Sequence, residues 1–358
     1  MKLWKRRLDK LLNSKMKTKT VQSTVILIKL NNFVDKDVQS MLFPLNMMQY
    51  LFLCPKYRVK NNLINPNSLF SNFISICSLL CAFLLLLYRI VLYLLPIFRY
   101  GNFSVMLVMS YFLTFFLNSS SYSIHCLANI IQVKKNIDFV LTFQKIHRYI
   151  NDKKQFKFFI IGNWIWVICG FTSYVLVEGI LYMYKFQVPF LIVMSTLVTT
   201  FCDSNIIYAI RMIQLLRDKV ILWNKKVLIL QGVDGESKYM LEAYCDIFKC
   251  YEIYRITFTH MVSSRSRQSI ALLATLCFYC EKKYEAIRET VDTCSLVLNS
   301  NCTGKHIAKN VRRLCRVSFQ KMTACGFFYI DTKLMLALLG LITHYTIVLQ
   351  QFAITSQY

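Results

Sequence analysis

Leu334–Ile354, LMLALLGLITHYTIVLQQFAI, carries no Lys, Arg, Asp or Glu. About 20 apolar residues rising 1.5 Å each cover a bilayer core of roughly 30 Å, so the stretch has the length and composition of a terminal membrane span. Its second half is nonetheless polar, with Thr343, His344, Tyr345, Thr346, Gln350 and Gln351. At about 100° per residue, His344, Val348, Gln351, Phe352 and Thr355 fall on one stripe roughly 100° wide. Polar groups are costly in hydrocarbon and usually face protein or a water-filled path. The pattern predicts a pore-like face, with a packing seam between helices as the plainer alternative.

Composition extends that reading to the whole chain. Of 358 residues, 56% are hydrophobic and 15% aromatic, and mean hydropathy is +0.42. These values point to an integral membrane protein. A net charge of +25 in a soluble protein would suggest a nucleic-acid partner. Here the basic residues cluster between apolar runs, as the positive-inside rule expects, so no nucleic acid is inferred. Cys77, Cys81, Cys169 and Cys202 lie in apolar spans, where cysteine is a small hydrophobe. Cys277-Phe-Tyr-Cys280 is a lone pair with no second ligand pair at metal spacing, so no metal or cofactor is expected.

Full spans are expected at about 69–88, 103–127, 158–182, 188–210 and in the terminal stretch. Residues 90–98, after Arg89 and up to Pro96, are read as a short re-entry or interfacial turn. The loop 133–157 carries seven Lys/Arg and two Asp, whereas 89–102 and 183–187 carry two and one Lys/Arg. The basic side belongs in the cytoplasm, which puts the N-terminus there as well. Residues 1–19, with eight Lys/Arg and one Asp, read as a cytoplasmic arm and not a signal peptide; Val21–Leu30 is too short to span. The sequon Asn102-Phe-Ser104 then faces outside, and Asn301-Cys-Thr303 inside. Arg211–Arg267 reads as long cytoplasmic helices continuing from the spans, broken at Gly232–Gly235. Ser269–Cys280 is apolar but reaches only about 18 Å, too short to cross. The resulting division is a cytoplasmic region 1–68, spans one to four over 69–210, a cytoplasmic helical region 211–325 with the stub 269–280, and a final helix with an external tail over 326–358.

Two linked pieces at the C-terminus carry a family resemblance. Tyr345-Thr-Ile-Val-Leu-Gln-Gln351-Phe352 resembles the terminal signature of insect gustatory receptors, relatives of the insect odorant receptors. Phe328-Tyr-Ile-Asp331-Thr-Lys-Leu334 resembles the family's lead-in to its last helix. His344 stands where the family has Thr before the Tyr, and Gln350 takes a normally apolar place. The resemblance implies an all-α, polytopic, seven-helix plasma-membrane protein. Its members are tetramers, homomeric or heteromeric, whose last helices line a central cation path opened by a small-molecule tastant. By motif position Val348, Gln351 and Phe352 would form the constriction, with His344 on the same stripe and Asp331 and Tyr345 as motif residues. An apolar ring could gate by dewetting while Gln351 ligates the ion. Against seven spans this chain offers five and a stub, so span five and the start of span six are expected to be missing, and the product to be truncated or non-functional.

No enzyme constellation is present: the five histidines (His125, His147, His260, His306, His344) show no HxxxH spacing, and there is no phosphate loop or nucleophile elbow. Ionisable residues within spans are the better lead. Glu178, Tyr174 and Trp166 are candidates for an outer pocket taking a polar small molecule; the plainer reading puts Glu178 in the interfacial zone and Trp164 and Trp166 in packing. Asp203 is expected to pair with a cytoplasmic base. A G-protein-coupled receptor would need an external N-terminus and lacks its Asp-Arg-Tyr and Asn-Pro-x-x-Tyr motifs here. A secondary transporter would need repeated, Gly/Pro-broken spans, which five prolines do not supply.

Overall fold

The computed structural model describes residues 32–100, 105–174, 189–229, 234–262, 270–299, 305–324 and 328–355, with isolated positions between 175 and 188. These form an all-α fold with two small hairpins. Helix α1 (Lys36–Leu51) leads into β1 (Arg58–Lys60) and β2 (Leu63–Asn65), paired antiparallel with Val59 opposite Ile64. The turn residues Asn61 and Asn62 have φ of 54° and 62°, the double left-handed geometry of a type I′ turn, which Asn tolerates.

Four helices follow: α2 (Leu69–Tyr100), α3 (Val105–Ile131), α4 (Val133–Tyr149) and α5 (Lys153–Tyr174). Helix α6 (Phe190–Ile229) has 40 residues and is about 60 Å long, twice a bilayer core. It packs on α2 and α3 and, most extensively, on α8 (Ile270–Asn299), with α7 (Asp234–Val262) beside it. Helix α9 (Lys305–Ser318) covers α8. Its Ile307, Ala308, Val311 and Cys315 are buried, while Lys305, Lys309, Arg313 and Arg316 face outward, the helical spacing of an amphipathic surface helix. Strands β3 (Thr323–Ala324) and β4 (Phe328–Tyr329) then pair, and α10 (Thr332–Thr355) closes the described chain.

The main hydrophobic core joins α1, α4, α6, α7, α8 and α9, with Trp223, Tyr244, Tyr251 and Tyr284 among its largest buried side chains. Trp223 packs tilted against Tyr244, ring centroids 4.7 Å apart, and its Nε1–H donates to the Met240 carbonyl at 2.8 Å, so its one polar atom is satisfied when its large apolar area leaves water. A smaller cluster joins Ala82 and Leu86 of α2, Tyr122 and Cys126 of α3, and Val198 and Phe201 of α6.

Two stretches among the described residues are long and apolar enough to cross a membrane, Leu69–Leu95 and Lys153–Thr172, and Thr332–Val348 is a shorter apolar helix. The expected spans near 103–127 and 188–210 are helical in α3 and α6, and both carry polar residues on their buried faces. Ser121, His125 and Asn129 of α3 and Asp203, Ser204 and Asn205 of α6 are buried between helices.

One expectation is corrected. Residues 90–98 are no separate re-entry: α2 runs unbroken from Leu69 to Tyr100, with Pro96 inside it. Arg89 does not stop the helix because its guanidinium lies over the Tyr93 ring, 5.7 Å from the centroid, and Tyr93 stacks on Tyr111 at 5.2 Å, where an aromatic face accommodates the charge. The described part of 269–280 opens the 30-residue α8, and Leu276, Cys277, Cys280, Tyr284 and Ile287 continue one buried stripe, the spacing of a core helix. Of the break expected at Gly232–Gly235, residues 230–233 lie outside the described residues; α6 runs through residue 210 without interruption. Residues 1–31, both sequons and the segment 263–269 lie outside the described residues.

Candidate functional site

The terminal helix is fixed at its base. Asp331 precedes α10, and its Oδ1 accepts from the backbone N–H of Lys333 at 3.1 Å and of Leu334 at 3.3 Å, satisfying two of the helix's orphan donors. Its Oδ2 accepts from Lys321 Nζ at 2.9 Å. Burial raises the Asp331 carboxyl, but Lys321 and the two amides outweigh burial and hold it below the usual carboxylate range. The β3–β4 hairpin is in turn clamped to α8. Tyr284 Oη accepts from Met322 N–H at 3.0 Å and donates to the Ile330 carbonyl at 3.2 Å. Tyr251 of α7 donates to the Gln320 carbonyl at 2.7 Å.

Beyond that base, much of α10 is exposed among the described residues. Leu334 and Met335 pack against the main core, whereas Leu336 and Leu341 are each 71% exposed and Leu339, Tyr345 and Ile347 are also exposed. His344, Gln350 and Gln351 are exposed and Val348 is half-buried. The side chains of Phe352 and Thr355 lie outside the described residues. Thr343 and Thr346 donate to the carbonyls of Leu339 and Ile342, at 2.9 and 2.8 Å. Both hydroxyls are therefore satisfied within the helix, which leaves His344, Gln350 and Gln351 as its distinctive polar groups.

Of the outer-pocket candidates, only Trp166 has a described side chain. Trp166 packs against the main core, and eight residues of α5 separate it from Tyr174, a rise of about 12 Å. Trp164 lies 6.0 Å from Phe43 of α1. The Tyr174 side chain and Glu178 lie outside the described residues. Asp203 is buried.

Sequence reading missed a set of buried charges. Arg211 donates to Asn163 Oδ1, to Gln214 Oε1 and to the Phe159 carbonyl, and lies over the Phe159 ring. Asn163 Nδ2 donates to the Met41 carbonyl at 2.8 Å, so α1, α5 and α6 meet at one polar knot. Lys219 Nζ donates to the Ile150 carbonyl and lies 3.2 Å from His147 Nδ1. Burial, then Lys219, lowers His147 to about 4. Lys283, 1% exposed, places its Nζ 3.4 Å from the Tyr251 ring centroid with no hydrogen-bond acceptor, and burial lowers it to about 7. In sequence these look like any other basic residues of a positively charged loop.

No protein-family model and no curated protein matches the chain.

Proposed function

We propose that the chain is a chemosensory receptor of the gustatory type, a subunit of a ligand-gated, non-selective cation channel in the plasma membrane with a cytoplasmic N-terminus. The observation that carries the reading is α10: an apolar helix bearing the Tyr345–Phe352 signature, pinned at its base by Asp331 and with large apolar side chains exposed among the described residues. An apolar helix with large side chains exposed calls for lipid or further copies around it. A tetrameric setting puts the Val348–Gln351–Phe352 stripe toward a central path and the leucines toward lipid. The apolar surface of α2, where Leu69, Phe70, Phe73, Leu80 and Leu84 are exposed, supports the membrane setting.

The test is electrical. Expressed alone and with candidate partner subunits, the full chain should give tastant-evoked cation currents in oocytes. A Gln351→Cys variant should lose at least tenfold of its current to a positively charged thiol reagent. Vesicles that hold the purified protein yet conduct nothing, or an N-terminal tag reachable on intact cells, would overturn the reading.

A further inference from the structure

Lys56 follows α1 in the turn before β1, and its side chain points inward. It is 4% exposed, its ammonium lies 4.5 Å from the centroid of the Tyr208 ring, and no carboxylate pairs with it among the described residues. Beside it is a cavity of about 20 Å³ between this turn, α4, α6 and α7, lined by Lys56, Asn136, Phe139, Tyr208 and Tyr254 among others. Asn136 contributes an amide nitrogen, buried and without a hydrogen-bond partner. Two donors, one carrying a full charge, therefore border a space with no carboxylate in its lining.

An unpaired buried ammonium is costly, and it is relieved by losing its proton or by holding a counter-ion. Burial lowers Lys56 only to about 8, so at neutral pH the cation persists and a counter-ion is the remaining remedy. Water would satisfy the hydrogen bonds but leave the charge uncompensated. The volume admits about one small particle, which excludes phosphate esters and carboxylates. Asn205 also lines the cavity with an unpaired amide oxygen, its Nδ2 being committed to the Phe201 carbonyl at 3.1 Å. That oxygen suits a Lys56 proton and repels any second anion.

We propose that this cavity is a halide site, holding one chloride between the Lys56 ammonium and the Asn136 amide and tying the pre-α2 turn to α4, α6 and α7. The proposal is independent of the channel reading. Its experiment is thermal melting of the purified full-length protein in sodium chloride, bromide, gluconate and sulfate at equal ionic strength, with bromide titrated from low to saturating concentration. Chloride and bromide should raise Tm saturably by about 2–4 °C over gluconate and sulfate. Lys56→Met should lose the saturable rise in halide over gluconate, whereas Lys283→Met, which removes a different buried lysine, should keep it. If Lys56→Met does not fold, Asn136→Leu should shift the bromide midpoint at least tenfold upward. Equal melting of the wild type in halide and gluconate, which is the outcome for a cavity holding only water, overturns the proposal. So does an undiminished halide response in Lys56→Met, or, where that variant does not fold, an unshifted bromide midpoint in Asn136→Leu.

Discussion

Gly162 of α5 faces Arg211. A Cβ built there would lie 2.8 Å from the Arg211 Nη2, and the guanidinium has little room to retreat because Asn163, Gln214 and the Phe159 carbonyl all hold it. Alanine in place of glycine within a helix ordinarily gains up to about 1 kcal/mol. Each hydrogen bond to a charged group contributes roughly 1.5–3 kcal/mol net, so displacing the guanidinium outweighs that gain. Gly162→Ala is expected to lower stability by about 1–2 kcal/mol in denaturant melts; a stabilised variant would mean the guanidinium moves freely. Asn163 matters at the same scale because it serves two helices at once, accepting from Arg211 and donating to Met41.

At the scale of the element, the junction before α10 concentrates most of the specific interactions of the C-terminal region. Asp331 caps the helix and pairs with Lys321, and Tyr284 holds the hairpin strands on either side. Loss of an N-cap costs about 0.5–2 kcal/mol. Asp331→Ala is expected to lose that cap and the Lys321 pair together, and Asp331→Asn to keep most of the cap. Hydrogen exchange at the Lys333 and Leu334 amides should quicken at least tenfold in the alanine variant and much less in the asparagine variant. Equal exchange in all three proteins would remove Asp331 from this role. The capping geometry supplies a physical reason for an aspartate at this point.

For the whole molecule, burial of basic groups sets the response to acid. His147 sits within the main core, 4.2 Å from the Phe156 ring and next to Lys219, and burial is the first cause of its lowering from 6.5 to about 4. Between those two values the unfolded chain binds a proton that the folded chain refuses. Stability from this group is therefore full above pH 6.5 and is lost as pH falls toward 4. Tm should drop between pH 7 and pH 5, and the drop should shrink in His147→Gln. An identical pH profile in that variant would assign the acid sensitivity to other groups.

The ends of the helices were legible from local chemistry. The Asp331 lead-in and the polar half of the last helix are read within a few residues of themselves, because caps and hydrophobic periodicity act over one or two turns. The same locality misleads at Arg89, where a charge reads as the end of a span although α2 runs on through it and an aromatic neighbour accommodates it. Sequence by itself determined that this chain is helical, strongly apolar and basic, and where its last helix starts. Only the tertiary structure decided which charges go inside. Asn163 reaches Met41 across 122 residues and Gln144 reaches the Phe33 carbonyl across 111, and the enclosures of Lys56, Lys219 and Lys283 depend equally on helices distant in the chain. A buried cation is defined by what surrounds it, and those surroundings exist only once the helices have packed.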